Sequence, residues 1–413
     1  MDLQMRSSTD GTLDPEAWLH AVHLGFLNGY RLPEGQLTAM LEHSDLSRIR
    51  GVFDGETCVA TFRSFDQRLT VPGGTDVPAH AVTGVTVTAS HRRRGLLRRM
   101  IATDLAAAKE GGETLSTLVA AEARIYGRFG YGPATVSCTM EVDGLRAGLD
   151  SSRPAVESGS VVFTDGAEVR KVGPELHERF RLRQPGAVDR AALWWRNATG
   201  DVQRPPGWEE PFHLLYRDAD GVVQGLADFT SDHRWTRGVP DGTATVHSLI
   251  AATPDAERAL WHFILSLDWV VRISAERQGP DALLPDLVPE PRAVRATAAQ
   301  DFLWLRPLDV PTMLAARGYG GEGELVLEVT DPMGLAAGRF ALTASAEGAR
   351  CVPTTRSADL TLGSGALGTL YLGDRSASRL ALLGLVDEER PGALALADRL
   401  LHTPMRPWTA DVF

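Results

Sequence analysis

The run TASHRRRGLLRRM, residues 88–100, carries five arginines in thirteen positions. The chain around it is acidic, with 42 Lys and Arg against 53 Asp and Glu and a formal net charge of −11. The cluster is therefore a local feature and not one corner of a basic surface. It sits where the strand pattern AHAVTGVTVTAS runs into a helical pattern. A helix N-terminus leaves about four backbone N–H groups without partners and carries a partial positive charge. An anion placed there is held by both. Arg92, Arg93 and Arg94 add charge, and Gly95 removes a side chain where a ligand would approach. One turn of helix suits a diphosphate better than a nucleic acid, with a solvated helix face as the plainer alternative. The nearest phenols, Tyr126 and Tyr131 in RIYGRFGYG, could both be packing aromatics beside a sheet.

Length and composition limit what these residues can belong to. At 413 residues the chain exceeds one ordinary core and favours two or three domains. Its 43% hydrophobic and 23% charged residues are those of a soluble globular protein. No run approaches the ~18 apolar residues of a membrane span, so no membrane partner is expected. The opening MDLQMRSSTDGTLDPEAW lacks the apolar core of a signal peptide. Cys58, Cys138 and Cys351 stand far apart, which fits a reducing cytoplasm and indicates neither disulfides nor a metal site. The acidic balance argues against nucleic acid as a partner.

Residues 14–45 read as helical, and RIRGVFDGETCVATFRSF as a hairpin turning at DGE. STLVAAEA reads as a strand, RIYGRFGY as a short helix or turn, and ATVSCTMEVD as the strand closing a first unit. Residues 144–160, rich in Gly, Ser and Pro, read as a linker. A second unit follows, with the strand TATVHSLIAA leading into the helix DAERALWHFILSL. A third, from about residue 301, holds GELVLEVTD, GRFALTAS and ADLTLG as strands and GALGTLYLG and ALALADRLL as helices.

VTVTASHRRRGLLRRM is similar to the acetyl-CoA loop of GNAT acetyltransferases, Gln/Arg-x-x-Gly-x-Gly/Ala, with Arg92, Gly95 and Leu97 at the three pattern positions. Leu97 departs from the small last residue. Together with AAEARIYGRFGYGPAT, the chain resembles the enhanced-intracellular-survival (Eis) family, in which RRRG is followed by apolar residues. The resemblance is dense over residues 80–135 and looser to the C-terminus. It implies a mixed α+β fold of tandem GNAT-like domains and a sterol-carrier-protein-like domain. Boundaries are expected at 1–150 for the catalytic domain, 151–300 for a degenerate GNAT-like domain and 301–413 for the third. The family also implies a homohexamer, acetyl-CoA as cosubstrate, and small-molecule amines such as aminoglycosides as acceptors.

Carried over position by position, the coenzyme contacts fall on Val85, Thr86 and Val87. They continue through Arg93, Arg94, Gly95, Leu96, Leu97 and Arg98, and include Ala121 and Glu122. The family's general acid falls on Tyr126, since a phenol of pKa ~10 stays protonated at neutral pH and can protonate a departing thiolate. Its general base is a terminal carboxylate, here that of Phe413, in a tail whose Trp408, Val412 and Phe413 are candidate anchors. The helix that lines the family's amine pocket offers Glu34 as its only carboxylate, which leaves a less polar amine open as acceptor. A different class of function, an apolar-ligand carrier working through the third domain, remains the alternative. GSGALG, residues 363–368, formally fits a dinucleotide loop, but the strands around it look antiparallel. The second unit has AATPDAERALW where the first has TASHRRRGLLR. With one arginine and no glycine at that turn, it is expected to keep the fold without a coenzyme site.

Overall fold

A computed structural model describes residues 3–148, 159–202 and 207–413. Most of the expected linker lies outside these residues. The chain forms two compact units, Met1–Ala134 with Leu303–Thr403 and Val412–Phe413, and Thr135–Phe302 with Pro404–Asp411.

The chain opens with β1 (Leu3–Ser7), α1 (Pro15–Gly25) and α2 (Glu34–His43). One helical stretch was expected over residues 14–45, and two helices form. Asp14 caps α1 by accepting from the Glu16 N–H, with Pro15 just inside the start. Between the helices, Leu27 and Gly29 take positive φ and Pro33 removes a donor, so the helix cannot continue. The strands β2 (Ile49–Asp54), β3 (Thr57–Thr70) and β4 (Asp76–Val87) follow as an antiparallel meander. Next come α3 (Leu96–Glu110), β5 (Leu115–Val119), α4 (Ala123–Tyr126) and β6 (Gly132–Pro133). Leu96, Met100, Ile101, Leu105 and Ala108 recur at helical spacing and bury one face of α3. Asp104, on that buried face, is held by His80 Nε2 at 2.5 Å, Arg50 Nε at 3.2 Å and Ser64 Oγ at 3.0 Å.

The second stretch contains β7 (Val136–Asp143), α5 (Gly144–Ala147), β8 (Ser160–Thr164), α6 (Gly166–Arg181) and α7 (Ala192–Ala198). Then come β9 (Phe212–Arg217), β10 (Val223–Ser231) and a small hairpin of β11 (Trp235–Thr236) and β12 (Val239–Pro240). It ends with β13 (Gly242–Ala251), α8 (Pro254–Leu265), β14 (Val270–Gln278), α9 (Leu284–Leu287) and β15 (Val294–Asp301). Its sheet runs β15-β7-β14-β13-β10-β9-β8. The strand ATVSCTMEVD, expected to close the first unit, is β7 and stands between β15 and β14 here. Alternation identified it as a strand but could not say which sheet it joins.

In this unit β13 and β14 pair in parallel from Gly242 and Val270 as far as Val246 and Ala275, and then part. The cleft beyond them holds residues Pro404–Asp411 of the chain itself. Trp408 Nε1 donates to the Arg277 carbonyl at 3.0 Å, and the ring lies over Gly279. The Trp408 N–H donates to the Pro185 carbonyl. Asp411 is buried against Arg190 Nε at 2.8 Å, with His177 Nε2 at 3.7 Å. A cavity of about 630 Å³ remains beside the tail, lined by Phe180, Leu249, Met405 and Trp408 among others.

The final stretch starts with β16 (Leu303–Pro307) and α10 (Val310–Ala316), then β17 (Gly323–Thr330), β18 (Gly338–Ser345), β19 (Gly348–Pro353) and β20 (Leu360–Gly363). The helices α11 (Ser364–Tyr371) and α12 (Ala377–Leu382), β21 (Val386–Glu388) and α13 (Ala393–Leu401) complete it. These strands make a sheet in the order β19-β18-β17-β20-β21, except for β16. That strand enters the first sheet, β1-β2-β3-β4-β5-β16-β6, between β5 and β6. The glycines of GSGALG serve packing: a side chain at Gly365 would press on the Tyr131 carbonyl, and one at Gly368 on that of Leu305. β20 runs parallel to β17 and antiparallel to β21, so the strand entering α11 and the next strand form no parallel crossover. Among the described residues no helix is long and apolar enough to cross a membrane.

Candidate active site

The site is built on the end of β4. Between Thr61 and Arg63 of β3 the partner on β4 moves from Thr86 to Thr83, so β4 carries one extra residue there. Gly84, in that bulge, has φ +60°, and bulges bend a strand and end regular pairing. The Thr61 hydroxyl ties the bulge down, donating to the Gly84 carbonyl at 2.8 Å and lying 2.7 Å from the Thr86 hydroxyl. On its other edge β4 pairs with β5 only from Ala79 to Ala81. Residues 82–87 thus present an edge that β5 does not cover. Thr88 donates to the Val59 carbonyl on the β3 side. Strand alternation then turns the Thr86 N–H toward β3 as well, and the N–H groups of Val85 and Val87 toward the open edge.

The chain leaves β4 through a 3₁₀ turn, Ala89–His91, and enters α3. Arg92 Nε donates to the Val87 carbonyl at 3.3 Å, bracing the junction. Arg93 and Gly95 both have positive φ, at 65° and 74°. Gly95 is the N-cap, no side chain caps the helix, and a Cβ at Gly95 would meet open space. The first N–H groups of α3 therefore lie open beside the exposed Arg93, Arg94, Arg98 and Arg99. A diphosphate fits this junction by charge, by free donors and by room. Leu96 is buried and Leu97 half-buried, fixing the helix to the sheet as their apolar character requires.

Val85, Val87, Leu96, Leu97 and Tyr126 meet in one apolar cluster with Val82, Phe129 and Tyr131. Ala121 and Glu122 are exposed just after β5. Burial, helped by the Glu122 charge, pushes the Tyr126 phenol up to about 12. The two tyrosines stand edge to face, ring centroids 6.1 Å apart, in different surroundings. Tyr131 is fully enclosed, its hydroxyl 2.7 Å from that of Ser116, which donates to the His80 carbonyl. Among the described residues the Tyr126 hydroxyl has no such partner. Gly130 and Gly132 let the turn after Tyr126 press against α11: side chains there would strike Ser364 and the Gly365 carbonyl. Arg306 on β16 secures that turn, donating through Nε to the Phe129 carbonyl at 2.7 Å and pairing with Asp331 at 2.8 Å.

On the opposite face of β3, Thr61, Arg63 and Phe65 alternate outward from the α3 core. α1 lies along this face, with Trp18 against Gly84 and Gly25 so near Thr86 that a Cβ would collide with it. The ring of Phe413 packs here on Phe65, and the Arg63 guanidinium lies 5.3 Å from the Phe65 centroid. Glu34, at the start of α2, is exposed. Arg63 and Phe65 were not legible as site residues, since a strand pattern does not reveal which face carries function.

Residues 12–134 match the model of an acetyltransferase (GNAT) domain, residues 186–307 a second such model, and residues 310–410 a sterol carrier protein domain. An uncharacterized N-acetyltransferase of Streptomyces griseus is 51% identical over 418 residues, 100% of either chain. The N-acetyltransferase Eis of Mycobacterium tuberculosis is 38% identical over 343 residues, 80% of each. The crystal structure of Eis1 from Mycobacterium abscessus superposes with a TM-score of 0.85 at 31% identity, covering 100% of both chains. A GCN5-related N-acetyltransferase from Anabaena variabilis shares the fold at 20% identity and a TM-score of 0.83. The chain is thus an acetyltransferase of two GNAT domains and a sterol-carrier-like domain. With that order of domains and those relatives across its length, it belongs to the Eis family of GNAT N-acetyltransferases.

Proposed function

We propose that the chain transfers the acetyl group of acetyl-CoA to primary amines of small molecules, aminoglycoside-like or other. The observation that carries this reading is the open edge of β4 leading straight into the uncapped, arginine-flanked start of α3. Arg93, Arg94 and Arg98, with the N–H groups from Gly95 to Leu97, hold the diphosphate. The N–H groups of Val85 and Val87 align the pantetheine arm and polarise the thioester carbonyl. Thr86 fixes the bulge through its hydroxyl, and Ala121 and Glu122 border the coenzyme.

The amine nitrogen attacks the thioester carbon directly, a C–N bond forms, and the C–S bond breaks. The terminal carboxylate of Phe413 accepts the amine's proton, directly or through water. Tyr126, kept protonated by its raised pKa, donates to the departing sulfur. The same reading makes the protein a cytoplasmic homohexamer, and a mass measurement in solution tests the assembly. A panel of amines scored by free-thiol release, beside an acetyl-CoA binding isotherm, tests the activity. Micromolar coenzyme binding with amine-dependent thiol release is expected. Neither would be seen if the third domain worked alone as a carrier of apolar ligands.

A further inference from the structure

Arg63 is a cation without a matched anion on the acceptor face. Its guanidinium lies over the Phe65 ring, which also packs edge to face with the ring of Phe413. Its Cβ is close to the β4 bulge, 3.7 Å from where a side chain on Gly84 would begin. The bulge opens directly into Val85. Its Nε is buried and has no hydrogen-bond partner. Among the described residues no carboxylate, that of Phe413 included, lies within ion-pair distance of it. Asp45 acts on it only from beyond that range, and its carboxylate is engaged by the Ser47 N–H at 3.0 Å. A half-buried guanidinium with an idle donor is a costly arrangement, and arginine's planar fork matches a carboxylate in two-point contact.

The neighbouring surface says what else the ligand carries. Immediately after Gly25, which abuts Thr86, the chain exposes Phe26, Leu27 and Tyr30, the last two at 87% and 80%. From Phe26 to Tyr30 this stretch is apolar and aromatic with no acidic residue; the exposed Arg31 follows it as a second cation, and the exposed Glu34 is the first carboxylate after it. A polycation would meet the Arg63 charge there. A substrate carboxylate would instead be offset by Arg63 against the proposed terminal carboxylate base.

We propose that Arg63 selects the acceptor: an amine with an apolar or aromatic body that also bears a carboxylate, held by the Arg63 guanidinium beside Phe65. This rests on the acetyltransferase reading above and narrows its substrate class. The test compares 2-phenylethylamine with phenylalanine and 4-(2-aminoethyl)benzoate, which place the carboxylate beside the amine or at the far end. Thiol release is followed for the wild type, Arg63→Met and Arg63→Lys. For the wild type, kcat/KM for at least one carboxylated amine should exceed that of the parent amine by tenfold or more. The ratio should fall to about one in Arg63→Met, chiefly through KM, and recover in part in Arg63→Lys. Phenylacetate, which has no amine, should compete with the parent amine on the wild type, independently of any variant's folding. The inference is overturned alone if the parent amine is the best acceptor, if the ratio survives in Arg63→Met, or if phenylacetate does not compete. Absence of thiol release with every amine, together with no acetyl-CoA binding, overturns the acetyltransferase reading as well.

Discussion

The ring of Phe413 meets that of Phe65 edge-on, with centroids 5.7 Å apart and planes at 85°. An edge-to-face pair is worth about 0.5–1.5 kcal/mol beyond its burial, enough to hold a chain end that would otherwise fray. Deleting Phe413, or extending the chain past it, should abolish turnover while acetyl-CoA still binds. Phe65→Ala, which keeps the carboxylate but frees it, should lower kcat about tenfold. Steady-state kinetics beside a coenzyme isotherm separates the two effects. Full kcat in a C-terminally extended enzyme would place the base elsewhere.

Reversing charge at the helix start, as Arg93→Glu, should raise the acetyl-CoA KM by tenfold or more with a smaller effect on the amine KM. Charge-assisted hydrogen bonds of ~1.5–3 kcal/mol each stand behind that expectation. Unchanged coenzyme affinity would reduce the exposed arginines to solvation.

Tyr126→Phe should fold normally and lose about two orders of magnitude in kcat, as removal of a general acid does. Because burial raises its phenol to about 12, Tyr126 should impose no alkaline limb on the rate profile below roughly pH 11. Tyr131→Phe should act on stability instead, costing about 0.5–1.5 kcal/mol for the lost Ser116 hydrogen bond. Thermal melts and kcat measured on both variants tell the roles apart, and a reversed pattern would exchange them.

The Arg306–Asp331 pair has both side chains closed off from solvent. Arg306→Met should destabilise the protein by about 3–5 kcal/mol, since it strands a buried carboxylate. Burial would raise the Asp331 carboxyl, but the Arg306 charge and the N–H groups of Ala336 and Met333 outweigh it and hold it below the usual carboxylate range. A depressed carboxyl stabilises above its unfolded pKa, so this contribution should persist at neutral pH. It should drain away as the pH falls below about 4. Urea titrations at several acidic pH values, with Asp331→Asn as the control, check the window.

The second domain's cleft should take no coenzyme. Thr253 already caps α8, accepting from the Ala256 N–H; Pro254 lacks a donor, and Asp255 and Glu257 place acid in its first turn. With Pro404–Asp411 seated in the parting of β13 and β14, calorimetry should count one acetyl-CoA per chain. A stoichiometry of two would refute this.

The sequence displayed its chemistry more openly than its topology. RRRG and IYGRFGYG carried the family resemblance, and the strand-to-helix junction expected at RRRG is found between β4 and α3, because such a junction depends on local backbone and near neighbours. The glycines of GSGALG looked like a nucleotide loop, yet Gly365 and Gly368 answer to carbonyls of Tyr131 and Leu305, far away in sequence. β7 was readable as a strand by alternation, but β16, the short LWLRP, was not among the expected strands, and the sheets both join are decided by contacts more than a hundred residues distant. Arg63 was silent for a related reason: on a strand, the same arginine serves as surface, core or ligand depending on the face it takes.

The place of β16 in the first sheet bears on synthesis. Residues Leu303–Pro307 pair with all of β5, from Leu115 to Val119. While the ribosome is still making the second stretch, the nascent first sheet has no β16 to cover β5. An uncovered edge of this kind invites pairing with other chains. The first sheet can close only once residue 307 has emerged, after the whole intervening sheet has been translated. A fragment cut at residue 150 should therefore aggregate, and translational pausing before residue 303 should lengthen the interval of chaperone dependence.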